Sequence, residues 1–278
     1  MLIPRFWERA EGAAVDPGGR RLALRVWGWS QQDRREAAAR ARERLAAAIA
    51  SVARGSAPPG GYPYARAPLR EEIVRSLGET GARDEAVVTR NRYGALILNT
   101  AQVPFIDVDL PARGRLGFLT RLFRRGPRQD PTLERIRRAC AALGGDPCRV
   151  YRTRAGYRVL VTGRLLDPKS DETRALLQGF EADPHFVRLC RLQASFRARL
   201  TPKPWRCGCA KPPGQHPRSD SAARDFATWL AAYESASQGF ATCRYLETVG
   251  SGWERSEAAP VVEEHDRVSK AQSDLPLA

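Results

Sequence analysis

The spacing of apolar and polar residues predicts a mixed α+β protein. Alternating segments, which are typical of strands, lie at 21–29, within 87–100, at 105–110, in a β-hairpin over 148–162, and from 196 to about 205. Segments with helical spacing lie at 31–54, 69–77, 131–143, 167–177, 185–193 and 222–235. The residues in N-cap positions are Ser30, Asp130, Asp167 and Asp183. The order of these elements predicts mixed or antiparallel sheets with flanking helices.

Four regions are expected from the same pattern. Residues 1–80 form a strand-helix segment packed on the core, with a loose start over 1–20, and residues 81–206 form the α+β core. Residues 207–252 supply a loop and a helix. Residues 253–278 are acidic on balance and are expected to form a partly ordered tail with a short helix near 260–270.

The net charge of the chain indicates which classes of binding partner to expect. The 278 residues carry a formal net charge of +15, which favours a polyanion such as nucleic acid or nucleoside triphosphates. Only four of the 46 basic residues are lysine, and an arginine excess is also typical of a GC-rich genome. Two stretches without acidic residues, Pro111–Arg128 and Arg188–Arg206, each hold six basic residues. No apolar run approaches the roughly 20 residues of a membrane span, and no secretion signal is visible, so a cytoplasmic protein without membrane contact is expected.

The six cysteines do not suggest a disulfide framework in a cytoplasmic chain. The tight pair Cys207 and Cys209 is followed by His216 in a Pro/Gly-rich loop. A structural zinc site needs four ligands and usually shows two close pairs, of which only one is present. Free thiols are therefore the expected state, and zinc at this loop is the alternative.

The chemistry expected of this chain centres on Asp107 and Asp109, which end the apolar strand 105–110. Side chains two apart on a strand share a face, so the two carboxylates should lie close together. Like charges held together favour a bound cation, and carboxylates are the ligands that Mg²⁺ and Mn²⁺ prefer. The alternative is a strand that runs out into a solvated acidic loop.

Three stretches together resemble the palm of the archaeo-eukaryotic primase (primase-polymerase) superfamily. Phe105-Ile-Asp107-Val-Asp109 is similar to the first motif of that family, and Ala155-Gly156-Tyr157-Arg158 occupies the place of the second, a small residue followed by histidine. Asp183-Pro184, followed by Arg197-Ala-Arg199-Leu-Thr-Pro-Lys203, is similar to the last part of such palms. The resemblance covers about residues 85–206 and implies an RRM-like core.

The same resemblance implies the roles of the site residues. Asp107 and Asp109 would hold the metal, with Asp183, or Asp167 instead, as the third carboxylate. Phosphates and nucleic acid would be bound by arginine and lysine side chains, namely Arg152, Arg154, Arg158, Arg197, Arg199, Lys203 and the loop from Arg113 to Arg128. Arg158 replaces the family's histidine; it can still bind phosphate oxygens but cannot titrate near neutral pH.

Three functions follow as hypotheses. The first is a metal-dependent nucleotidyltransferase of the primase-polymerase type. The second is a non-catalytic nucleic-acid-binding protein on the same palm, in which Tyr151 and Tyr157 would stack on bases, unless they form a buried cross-strand pair instead. The third is a D-x-D glycosyltransferase, which would need a nucleotide-binding α/β unit ahead of Asp107.

Overall fold

The N-terminal region is a β-hairpin covered by a long helix. The computed structural model of the protein describes residues 1–56, 68–78, 85–110 and 130–278. Strands β1 (Phe6–Val15) and β2 (Arg21–Ser30) pair antiparallel, and helix α1 (Arg34–Ala53) packs on both. The loose start expected over residues 1–20 was therefore wrong, whereas strand 21–29 and helix 31–54 are confirmed. The N-cap of α1 is Asp33, which accepts from the Glu36 amide at 2.8 Å, and not Ser30.

Helix α1 lies directly against β2 at Gly28. A Cβ atom at this position would lie 2.1 Å from the carbonyl oxygen of Ala37 and 2.3 Å from the amide nitrogen of Ala41. Both neighbours are helix backbone, which cannot rotate away as a side chain can. Only glycine therefore allows the helix to approach the strand this closely.

We expect Gly28→Ala to lower the free energy of unfolding by about 1–3 kcal/mol, the usual cost of overpacking. Urea denaturation monitored by circular dichroism measures it. Gly179→Ala is the control, because nothing lies within 4 Å of a Cβ built there. Equal unfolding midpoints for Gly28→Ala and wild type would contradict the close approach.

A four-stranded antiparallel sheet, here called the first sheet, follows along the chain. Its strands lie in the order β3 (Glu72–Ser76), β4 (Ala86–Arg90), β5 (Leu96–Thr100) and β9 (Phe196–Arg199). Strands within 87–100 and from 196 are confirmed, although β9 ends at Arg199. The helix expected at 69–77 was wrong, because this segment pairs with β4 as an edge strand. Tertiary pairing outweighs a weak helical pattern in so short a segment.

The second four-stranded sheet, here called the aspartate sheet, carries Asp107. Its strands lie in the order β10 (Cys243–Val249), β7 (Cys148–Thr153), β8 (Gly156–Val161) and β6 (Phe105–Asp109), all antiparallel. The hairpin 148–162 and the strand at 105–110 are confirmed. Strand β10 was not predicted, so residues 207–252 contribute to this sheet as well as forming a loop and a helix.

The described residues form five further α-helices. Helices α2 (Pro131–Ala141), α4 (Pro184–Gln193) and α5 (Asp220–Ser237) confirm the predictions, with Asp130 and Asp183 as N-caps of the first two. Helix α3 (Asp171–Gly179) is capped by Ser170 and not by Asp167. Asp167 instead accepts from the amide of Lys169 at 2.9 Å, in the turn before the helix.

The C-terminal region is part of the folded core. Helix α6 (Ala259–Ser269) confirms the short helix expected near 260–270, but the partly ordered tail was wrong. Val261, His265 and Ala271 are buried, and Asp266 accepts from Arg149 of β7 at 2.7 Å. The acidic composition of this region thus reflects ion pairs with the basic core as well as solvent exposure.

The α+β class is confirmed by the antiparallel sheets and the helices that accompany them. One hydrophobic core joins both sheets and includes Leu98, Phe105, Val159 and Phe196. Within the described parts of the chain, no helix has both the length and the apolar composition needed to cross a membrane.

Candidate functional site

The two aspartates lie at the edge of the aspartate sheet, on β6. In the antiparallel register Asp107 is opposite Arg158, and Asp109 is opposite Gly156. A Cβ at Gly156 would lie 2.0 Å from the carbonyl oxygen of Val108, so glycine is what lets β8 approach β6 here. Asp107 is half-buried and Asp109 is exposed. The aspartates therefore lie at the C-terminal end of β6, as the sequence pattern predicts.

Arg158 binds Asp107 through two hydrogen bonds. Its Nε donates to Oδ1 at 2.8 Å and its Nη2 donates to Oδ2 at 3.2 Å, while Nη1 donates to the carbonyl oxygen of Arg199 at 3.0 Å. The arginine side chain is only 4% exposed. Burial opposes the charged guanidinium, but Asp107 holds the pKa of Arg158 above its usual value. A fixed positive charge thus stands beside the first aspartate.

A third carboxylate, Asp183, lies close to Asp109. Burial raises the pKa of Asp109, and repulsion from Asp183 and then Asp107 raises it further. Asp183 also caps α4, where it accepts from the amide of His185 at 2.8 Å. Asp167 is not among the groups that shift the pKa of Asp109. Of the two third carboxylates considered, the structure therefore brings Asp183 to the pair.

Basic side chains of β9 and the following turn interact electrostatically with Asp107 and Asp109. Burial and the nearby Arg158 lower the pKa of Arg199 to about 10, and the Nε of Arg199 is buried without a hydrogen-bond partner among the described residues. Burial, Arg199 and Arg206 lower the pKa of Lys203, whereas Asp109 opposes that shift. The bases therefore repel one another as the carboxylates do.

Arg206 was not among the predicted site residues. Burial and Arg154 lower its pKa, and Asp109 acts in the opposite direction, so it belongs to the same cluster. The signal in the sequence was its position at the end of the basic stretch 188–206, three residues after Lys203. Arg206 ends the short 3₁₀ helix Pro204–Arg206 that follows Lys203.

Two predicted phosphate-binding arginines have partners within the protein. Arg197 is buried and donates to both oxygens of Glu71 at 2.7 and 2.9 Å. Arg152 donates to the carbonyl oxygen of Gly156 and lies over the Tyr157 ring at 4.8 Å from its centroid. Arg154, in contrast, is exposed at the tip of the β7–β8 hairpin. Arg154 is therefore accessible and acts electrostatically on Arg206, whereas Arg197 is paired within the protein. The loop from Arg113 to Arg128 lies outside the described residues.

The two hairpin tyrosines are buried, so stacking on bases is not open to them. Tyr151 is 0% and Tyr157 is 3% exposed. The cross-strand pairing considered for them was wrong, because Tyr151 is opposite Arg158 and Tyr157 is opposite Arg152. They therefore belong to opposite faces of the sheet.

His265 of α6 contacts Arg158, the partner of Asp107, and was not predicted. Its Nε2 lies 3.4 Å from Nη1 of Arg158, and its Nδ1 lies 2.9 Å from Oδ1 of Asp266. Burial disfavours a charged imidazole, but Cys243 and Asp266 raise its pKa overall. A lone histidine in an acidic C-terminal stretch carries no motif, so the sequence alone offered no way to find it.

The described residues contain no group of three or more His, Cys, Asp or Glu side chains arranged to hold a metal ion. Cys207 is buried with its Sγ 3.3 Å from the Pro204 carbonyl oxygen, and burial lowers the pKa of His216, which is near Glu72. The zinc alternative therefore gains no support. For Mg²⁺ or Mn²⁺ the donor chemistry fits better, since such ions are often held by one or two carboxylates together with phosphate oxygens of the substrate.

Comparison with known proteins leaves the geometry as the basis for assigning function. No protein-family model matches this chain, and neither a curated protein nor a solved structure shows significant similarity to it.

Proposed function

We propose that the protein binds a nucleoside triphosphate with a divalent metal and acts as a nucleotidyltransferase of the primase-polymerase type on nucleic acid. The observation that carries the proposal is the meeting of two charge clusters at Asp109. The charges of Asp183 and Asp107 act on Asp109, and so do those of Arg199 and Lys203. Asp109 in turn acts on Arg206.

Each cluster is electrostatically unsatisfied by itself. Burial, followed by repulsion from Asp183 and Asp107, raises the pKa of Asp109. Burial, followed by repulsion from neighbouring basic groups, lowers the pKa values of Lys203 and Arg206. An anion alone would reduce the repulsion between the basic side chains, and a cation alone would reduce the repulsion between the carboxylates. A metal-bound polyphosphate supplies both charges side by side, so it is the ligand class that matches the whole arrangement.

The roles of the residues follow from their surroundings. Asp109 would hold the metal together with Asp107, whose oxygens retain lone pairs not used by Arg158, while Asp183 would add negative charge that acts on Asp109. Lys203, Arg199 and Arg206 would bind the phosphate oxygens and neutralise charge that develops on them. When bound, Mg²⁺ or Mn²⁺ supplies Lewis-acid activation and orients the attacking and leaving oxygens.

A second candidate is the non-catalytic nucleic-acid-binding protein, and the bidentate pair between Arg158 and Asp107 favours it. A guanidinium on both oxygens of a carboxylate weakens the attraction of that carboxylate for a cation. Basic residues near Asp109 would then bind phosphates, and the metal would be held too weakly to support transfer. The D-x-D glycosyltransferase gains no support, because the described residues ahead of Asp107 form antiparallel strands and one helix and not a parallel α/β unit.

Metal-dependent nucleotide binding tests the proposal. We expect a fluorescent nucleoside triphosphate to bind the wild-type protein in Mn²⁺ and to bind Asp109→Asn about tenfold or more weakly, since even the outer-shell partners of a metal site are worth 10- to 100-fold in affinity. Asp171→Asn is the matched control, because Asp171 is 83% exposed at the start of α3. Primer extension on the same samples then measures transfer.

The outcomes separate the candidates. Nucleotide binding and extension that are both lost in Asp109→Asn support the transferase. Metal-dependent binding without extension by wild type supports the non-catalytic protein. Nucleotide binding that is equal in Asp109→Asn and wild type, or that is insensitive to Mn²⁺, overturns the proposed site.

A further inference from the structure

An exposed tryptophan lies next to the candidate site. Trp205, in the turn Pro204–Arg206, is 48% exposed. Its ring meets that of Tyr93 edge to face, with centroids 5.3 Å apart, and the Nζ of Lys203 lies 5.6 Å from its centroid. Tyr93, Lys203, Trp205 and Arg206 together are called the Trp205 platform below.

The turn that carries Trp205 is held firmly. The Tyr233 hydroxyl donates to the carbonyl oxygen of Pro202 at 2.6 Å, and the amides of Cys207 and Cys209 donate to the carbonyl oxygen of Pro204 at 3.1 and 2.9 Å. Two prolines restrict the backbone further. A large apolar ring that remains exposed on a constrained turn costs little conformational entropy when a ligand stacks on it.

The platform differs from the other exposed tryptophan of the described chain. Trp253 is 95% exposed and makes no ring or cation–π contact with the described residues. It lies in the loop after β10, near Gly145 and the Thr162 end of β8, whereas Asp109 is opposite the Gly156 end of that strand. Trp205 alone combines an accessible ring with adjacent basic groups that also act on Asp109.

We propose that the Trp205 platform stacks a base of single-stranded nucleic acid, with the adjoining phosphates bound by Lys203, Arg206 and Arg154. An aromatic ring beside basic groups is the arrangement that single-strand binding uses, because every base has a face that can stack. A duplex hides those faces, so the platform selects an unpaired strand. This inference rests on the proposed function in one respect: it places the strand beside the nucleotide site.

Oligonucleotide binding without metal tests the platform separately from the nucleotide site. Fluorescence anisotropy of a labelled oligo-dT is measured with the full chain in EDTA. We expect Trp205→Ala to weaken binding about 5- to 100-fold, which corresponds to the loss of one base stack, and Trp205→Phe to weaken it less. Trp253→Ala is the matched control and should bind as wild type does.

The salt dependence of binding distinguishes the loss of base stacking from a general loss of the folded structure. Because Trp205→Ala leaves the phosphate contacts in place, the slope of log K against log salt should match that of wild type. Lys203→Ala and Arg206→Ala should each reduce that slope. Circular dichroism confirms that each variant is folded.

Three results would overturn the inference: oligo-dT binding unchanged in Trp205→Ala, equal competition by a duplex, or no oligo-dT binding by the wild-type chain in EDTA. Failure of the proposed nucleotide site looks different, because it appears as metal-independent or absent nucleotide binding while the Trp205 dependence of oligo-dT binding persists. The two proposals can therefore fail independently.

Discussion

A chain that ends at Gly252 is expected not to fold. Its truncation would remove α6, whose Val261 and His265 are 2% and 0% exposed. Burial of an apolar side chain such as that of Val261 contributes about 1.5–3 kcal/mol to the free energy of unfolding. Tyr151 would lose the His265 ring, whose centroid lies 4.7 Å away, and Arg149 would lose its partly buried partner Asp266.

The summed loss is comparable with the whole stability of a domain, about 5–15 kcal/mol. Near-ultraviolet circular dichroism and urea denaturation measure the outcome. Glu263→Ala is the control, because Glu263 is an exposed position of the same helix and should leave stability unchanged. Cooperative unfolding of the truncated chain at the wild-type midpoint would show that residues 253–278 form a dispensable tail.

Arg197→Met is expected to lower the free energy of unfolding by about 3–5 kcal/mol. Arg197 and Glu71 have side chains only 9% and 7% exposed, and their pair joins β9 to the segment leading into β3. Nη1 of Arg197 also donates to Asn99 at 2.6 Å, while Thr89 donates to Glu71 at 2.6 Å. Methionine would leave a buried carboxylate without its counter-charge.

The double variant Arg197→Met, Glu71→Leu separates loss of a pair from loss of packing. It removes both charges at once, so we expect it to recover most of the stability, since an apolar replacement of a buried ion pair is often close to neutral. Urea denaturation of the wild type, the single variant and the double variant measures this. If the double variant is as unstable as Arg197→Met, packing around the arginine stem, and not the unpaired charge, accounts for the loss.

Elements with regular patterning could be predicted from the sequence, whereas those with irregular pairing could not. Strands β4, β5 and β6 read as apolar runs because both faces are largely covered. Strand β10 was missed because its register shifts between Tyr245 and Glu247, which interrupts the alternation. Strand β1 was missed because its residues 8–14 are all charged or small, and its cover is a helix that packs close at Gly28 of the partner strand.

For the candidate site, the spacing of Asp107 and Asp109 was sufficient to place them together, since strand geometry fixes that relation locally. The partners of basic residues were not predictable. Arg197 and Arg199 are two apart on β9, yet the first is paired with Glu71 and the second has a buried Nε without a partner among the described residues. That difference depends on a residue more than a hundred positions away, which no local pattern contains.

The bidentate pair of Asp107 has a consequence for how the chain is synthesised and folded. Arg158 follows Asp107 by 51 positions, and His265 follows Arg158 by a further 107. Contacts between residues so far apart in sequence form late, because the entropy cost of closing a long loop precedes the stabilisation that the contact provides. On the ribosome the aspartates emerge long before their counter-charges. We therefore expect this acidic edge to stay unpaired until β8 pairs with β6 and brings Arg158 opposite Asp107.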